Sequence, residues 1–207
     1  MLGLGRVFTA NMTGNIVFLG FAAVGTPELS IARSSIALVA FLVGALVGGR
    51  IMARTTPDSQ LRTANSAFAI ETVLLLAATV TAVNYSGIQS QHGSKLYALI
   101  VLTVLAMGVR NATVRKLAVP DLTTTVLTLT LSGLAADSSF AGGSNPRWQR
   151  RIGSVAAMFA GAASGALLLR HSLVLALSLC VTILFICTLV LFLSSRKDLL
   201  PQVLTGT

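Results

Sequence analysis

Residues 172–195, "SLVLALSLCVTILFICTLVLFLSS", run for 24 positions without a charge. At 1.5 Å per residue, a helix needs about 20 apolar residues to cross the roughly 30 Å hydrocarbon core of a bilayer. This run is not alone. Charge-free or nearly charge-free runs recur at 7–27, 34–53, 63–83, 96–112, 122–136 and 152–169. Only 10% of the 207 residues are charged, against about 25% in a soluble domain. The loops are short and rich in Pro, Gly, Ser and Asp, as in "TTPDSQ" and "AGGSNPRW". The chain reads as a single all-α polytopic transmembrane domain over 1–207, with no room for a separate soluble domain.

The formal charge of +9 does not point to nucleic acid. Its Lys and Arg residues sit in short loops, where topology places them, and no basic run carries the interleaved aromatics of a nucleic-acid surface. Cys180 and Cys187 lie seven residues apart in one apolar run, about 10 Å along a helix, too far to bridge each other. His92 and His171 are isolated, and no spacing resembles a metal site. Neither a nucleophile–base pair nor a metal constellation is present in the pattern, so no enzymatic activity, cofactor or metal is expected.

Two runs are unlike the others. Residues 122–136, "LTTTVLTLTLSGLAA", number 15 between Asp121 and Asp137, about 22 Å as a helix, which is short for a span. Residues 7–27 are properly apolar only after Asn15. Sliding the sequence by 115 positions lays "FTANMTGN" (8–15) on "TTTVLTLT" (123–130), so that Thr9 meets Thr124 and Thr13 meets Thr128. At a shift of 117, Ala40, Gly44 and Gly48 meet Ala157, Gly161 and Gly165. Each triplet is a small-xxx-small ridge, which lets helices approach closely in lipid. The pattern predicts two structural repeats, 1–85 and 93–196. The helix 96–112 opens the second. Its counterpart in the first falls before Met1, so the opening helix of repeat one is expected to be missing, through loss or an internal start.

Charge decides between two topologies. If all seven runs cross, the 15 cations divide 8 to 7 and give no orientation. If 7–27 and 122–136 enter and leave on one face, 11 cations fall on one side and 4 (Arg6, Arg33, Lys95, Arg170) on the other. The second arrangement obeys the positive-inside rule and places the C-terminus in the cytoplasm. A complete repeat then has three spans, an odd number, so the repeats are inverted, with a short broken or re-entrant segment in each. Transporters and channels share this architecture.

"FTANMTGNIVFLG" and "MGVRNATVRKLAVPDLTTTVLTLTLSGLAAD" resemble the YoaK-like family of bacterial inner-membrane proteins, a domain of unknown function (1275). The resemblance covers nearly the whole chain. It implies an inner-membrane protein of six spans that opens with a helix carrying a Gly–Asp pattern, which this chain lacks. It also implies a Thr-Gly pair in the second motif, where Thr128 is here followed by Leu129. It implies no substrate.

Each candidate site residue has two readings. Asn11, Thr13, Gly14 and Asn15 either break a helix and line a polar cavity whose free N–H groups favour an anion, or cap an ordinary helix start. Thr124, Thr125, Thr128 and Thr130 are the symmetric partners, or bond back to their own backbone. Glu71, the one acid deep in a span, is a proton carrier or cation partner, or snorkels beside Arg62 or Arg110. Arg110 and Asn111 end a span; Arg110 pairs with Glu71 or a substrate anion, or anchors topology. Together these residues predict a small-solute transporter or channel, with the lipid bilayer and a small solute as partners and a homo-oligomer open. The rival is a non-transporting assembly or sensor protein whose polar motifs only pack helices.

The charge split makes a direct prediction. In a background lacking Cys180 and Cys187, cysteines in loops 54–62 and 113–121 should label from the cytoplasm. One at position 90 should label only from outside, and labelling there from the cytoplasmic side overturns the topology.

Overall fold

The computed structural model describes residues 4–56, 60–83, 85, 93–117 and 127–197. Thr124 and Thr125, with position 90 and His92, lie outside them. The described residues form seven α-helices: α1 (Met12–Ala23), α2 (Ile31–Ala53), α3 (Gln60–Ala82), α4 (Ser94–Leu117), α5 (Leu127–Ala136), α6 (Trp148–His171) and α7 (Leu173–Lys197), with a 3₁₀ turn (Ser139–Ala141) before α6. Five are long and apolar enough to cross a membrane, over 31–53, 63–82, 94–117, 148–171 and 173–193. They coincide with the five long runs of the sequence. Of the two runs singled out as short, 7–27 holds a helix of 12 residues, about 18 Å and too short to span a bilayer, and the described part of 122–136 holds 10 helical residues.

The core is built on α4. Leu96, Leu99, Ile100, Val104, Ala106 and Val109 are buried along it, and α2 and α3 pack against it. The α2 contact works because side chains are absent. Ala37, Ala40, Gly44 and Gly48 are buried along α2 at intervals of three or four, which places them on one face. A Cβ on Gly48 would lie 2.6 Å from the carbonyl oxygen of Val109, and one on Gly108 would lie 2.9 Å from the backbone nitrogen of Ala45. Gly44 meets the backbone of Leu105 in the same way. The helices touch backbone to backbone, the close approach that drives association where lipid removes the hydrophobic incentive. Gly44 faces Leu105 and Gly48 faces Val109, so α2 and α4 run parallel. On α3 the order reverses: Ala78 and Ala82 share a cluster with Leu96 and Leu99, and Leu75 with Ala106. α7 closes the far side of α3 through Leu184 and Val181.

The second small-residue ridge behaves differently, which corrects the expectation that Ala157, Gly161 and Gly165 mark a close contact. No residue of α6 is buried, and a Cβ on Gly161 or Gly165 would meet nothing within 4 Å. The ridge on α2 has a partner that brings its own glycine, Gly108. Among the described elements α6 packs mainly on α5 and α7, and neither comes within 4 Å of a Cβ on Gly161 or Gly165.

Gly48→Leu and Gly108→Leu should therefore lower the melting temperature and folded yield in detergent, at a cost of about 1–3 kcal/mol or more from overpacking. Gly165→Leu should stay within about 0.5 kcal/mol of the parent. Equal loss at Gly48 and Gly165 would contradict this packing.

Candidate functional site

Asn11 begins α1. It has extended backbone angles (φ −111°, ψ 90°), and its side-chain oxygen accepts a hydrogen bond from the Gly14 N–H at 3.1 Å. That is an N-cap, satisfying one of the donors a helix start leaves free. No helix is present among residues 4–10. "NMTGN" is thus the start of a helix and not a break within one, which corrects the broken-helix reading. Gly14 has a different task from bending the backbone: a Cβ there would lie 2.7 Å from the Phe8 ring. The missing side chain lets Phe8 lie against α1, stacked on Phe18 with centroids 5.2 Å apart.

Asn15 explains why a polar residue sits in this apolar run. It is wholly buried. Its Oδ1 accepts from the Phe8 N–H at 2.9 Å, and its Nδ2 donates to the Phe8 carbonyl at 2.7 Å. One side-chain amide thereby supplies both partners that residue 8 would otherwise find in a helix or sheet, as buried backbone requires. Leu4 and Val7, on the same non-helical limb, are buried in the cluster that holds Ala37, Ala40, Leu96 and Leu99.

The other end of α1 is equally definite. Gly25 has φ 83°, its N–H donates to the Ala22 carbonyl, and the Thr26 N–H donates to that of Phe21. This is a Schellman stop, and the left-handed angle suits a residue without a Cβ. The chain then reaches Glu28, whose carboxylate pairs with Arg6 and whose carbonyl accepts from buried Arg33 at 3.1 Å. Residues 6 and 28 therefore meet beside the first turn of α2. The two ends of the segment thus lie together at one end of the bundle.

Its tip opens on a cavity of about 720 Å³, lined by Ala10, Asn11, Met12, Thr13, Phe41, Ala45, Gly49, Asn111, Ala112, Arg115 and Lys116. Phe41 and Gly49 lie about 15 and 27 Å along α2 from Ile31, so α1 begins near the middle of that helix. Asn11, Thr13 and Asn111 come together here. Gly14 and Asn15 support the wall from behind. Arg115 and Lys116 were not singled out in the sequence, although Asn111 and Arg115 are four apart and so share a helix face. They are the two charged lining residues, both exposed cations.

Glu71 and Arg110 form a separate pair between α3 and α4, with Arg110 Nε 2.9 Å from Glu71 Oε1. Glu71 does not snorkel; it is fully buried, while the Arg110 side chain is 43% exposed. Thr128 and Thr130 do not line the α1 cavity. Their helix, α5, packs on α6 and the 3₁₀ turn, so Thr128 and Thr130 do not join Asn11 and Thr13 as symmetric partners in one cavity. α5 ends as α1 does, beside the long helix that follows: Arg151 Nη1 donates to the Gly133 carbonyl and to Asp137 Oδ2, each at 2.7 Å.

Five apolar helices of spanning length and two short ones define a multi-pass helical membrane protein. The chain belongs to the family described as "Protein of unknown function (DUF1275)", whose model matches residues 1–190. It is 32% identical over 138 residues to the UPF0700 transmembrane protein YoaK of Bacillus subtilis (strain 168), a match covering 67% of this chain and 59% of that protein. The chain thus spans about three-fifths of that relative's length. No solved structure matches it.

Asn15→Ala should cost about 1–3 kcal/mol for each orphaned Phe8 group, seen as a lower melting temperature and faster labelling of a cysteine at position 8. Thr13→Ala, at an exposed cavity position, should melt like the parent. An unchanged melting temperature for Asn15→Ala would show that the Phe8 bonds are not what holds the limb.

Proposed function

We propose that this protein is a small-solute transporter or channel of the bacterial inner membrane, with its C-terminus cytoplasmic. One observation carries the reading: α1 starts near the middle of α2, at the tip of a segment whose two ends meet at one end of the bundle, and that tip faces a cavity. Backbone that dips into the membrane and returns is tolerated where it is buried in protein or lines a cavity, and such sites recur in transporters. The amide and hydroxyl of Asn11 and Thr13 meet Asn111, Arg115 and Lys116 there. Two cations, no acid among the described lining residues and the positive end of α1 favour an anion.

Two inverted repeats fit the same features. α2 and α6 correspond, as do α3 and α7. In or just after each short helix, a backbone carbonyl accepts from an Arg near the start of the next long helix, that of Glu28 from Arg33 and that of Gly133 from Arg151. In this reading the open ridge on α6 is where an equivalent of α4 would pack. The same ridge favours the alternative, an assembly or sensor protein that uses α6 to bind a partner or a second copy.

Uptake into proteoliposomes distinguishes the two. A panel of small organic and inorganic anions, neutral solutes and cations should show uptake confined to anions. The double variant Arg115→Gln/Lys116→Gln should reduce it about tenfold, equivalent to roughly 1.4 kcal/mol of lost binding. Parent protein with no flux of any class, but with defined oligomers that Gly161→Leu disrupts, would support the assembly reading instead.

A further inference from the structure

Glu71 is fully buried within the span 63–82 and touches a single countercharge among the described residues, Arg110. That contact uses Oε1 and the Arg110 Nε. Both carboxylate oxygens are buried with no hydrogen-bond partner among the described residues, so Oε1 has its ion-pair contact and Oε2 has none. A carboxylate offers about four acceptor sites and an Arg side chain five donors, so one contact leaves both groups far from satisfied. An ionised oxygen without a donor in a low-dielectric interior bears its full desolvation cost. Groups in this condition in native proteins call for an explanation. The polar neighbours do not relieve it. Thr72 donates its hydroxyl to the Phe68 carbonyl. The titratable groups in electrostatic contact with Glu71 are Arg110, from α4, and Cys180, from α7.

We propose that Glu71 is a proton-exchange site. A proton from water forms an O–H bond at Oε2, and the carboxyl becomes neutral. Arg110 keeps its charge, so the pair passes from zero to one net positive charge, and the ionic part of the α3–α4 clamp is lost. Deprotonation reverses each change. Access runs along Arg110: its side chain is partly exposed, and it lies seven residues, about 10 Å, from the end of α4. The uncompensated charge of the protonated state would favour an anion nearby. Proton exchange itself does not depend on any solute being carried.

The sequence offers a clean test, because Glu28 and Glu71 are its two glutamates. The full chain, labelled with carboxyl-¹³C glutamate and reconstituted in lipid, gives two side-chain carboxyl signals by solid-state NMR. Glu28→Gln, at an exposed position, assigns them without disturbing the core. The Glu71 signal should move between its protonated and ionised positions as pH is varied while the protein stays folded. Parent protein should also take up a proton more per chain than Glu71→Gln in an unbuffered pH jump. A Glu71 signal fixed at either position throughout would overturn the proposal, leaving a static ion pair or a permanently neutral acid. Because the parent carries the NMR measurement, failure of Glu71→Gln to fold does not affect it, and solute flux is read separately.

Discussion

The backbone contact between α2 and α4 is the constraint on which the rest of the structure depends. Lipid is as apolar as the side chains it surrounds, so two spans gain little by hiding apolar surface from it. They gain by packing, and packing attraction falls off within fractions of an ångström. Gly44, Gly48 and Gly108 let these helices meet without intervening side chains. With α2 and α4 held in parallel register, one face of the pair receives the limb of residues 4–10 through Leu4 and Val7. α4 also receives α3 through Ala78 and Leu75. The cavity wall, from Phe41 to Gly49 on α2 and from Asn111 to Lys116 on α4, is a continuation of the same seam.

Against that frame, a single asparagine makes an otherwise forbidden segment tolerable. A non-helical limb packed among apolar helices carries N–H and C=O groups that are each costly to leave unmet. Asn15 meets those of Phe8, Asn11 meets Gly14, and the Schellman stop at Gly25 satisfies carbonyls at the far end. Polar residues in the run therefore take different places according to which way they point. Asn15 points inward and holds the limb, whereas Asn11 and Thr13 line the cavity.

The five spans were legible because length and lack of charge are properties of a single segment. The ridge Ala40–Gly44–Gly48 was legible from its spacing. What failed was inference that needed a partner. Ala157, Gly161 and Gly165 have the same spacing, yet a ridge becomes a contact only if something packs on it, and spacing alone carries no partner. Cap and break share the residues Asn, Thr and Gly, and only the conformation of residues 4–10 separates them. Arg115 and Lys116 passed as topology anchors because a cation at the end of a span has that role by default. Their place on the cavity wall follows from Asn111 only once α1 is known to reach that depth.

Arg110 and Asn111 are neighbours in sequence and look in different directions. Successive residues on a helix are about 100° apart, so one can face α3 while the next faces the cavity beside α1. Arg110 reaches Glu71, and Asn111 lines the cavity. The two polar features of this protein are thus carried by one turn of one helix. That turn is held within one residue of Val109, whose carbonyl faces Gly48, and Thr113 just beyond it spends its hydroxyl on the Val109 carbonyl. A rotation of α4 that widened the gap at Glu71 would also move Asn111 and Arg115 along the cavity wall. The glycine seam resists such rotation, since backbone in contact with backbone has no side-chain rotamers with which to adjust.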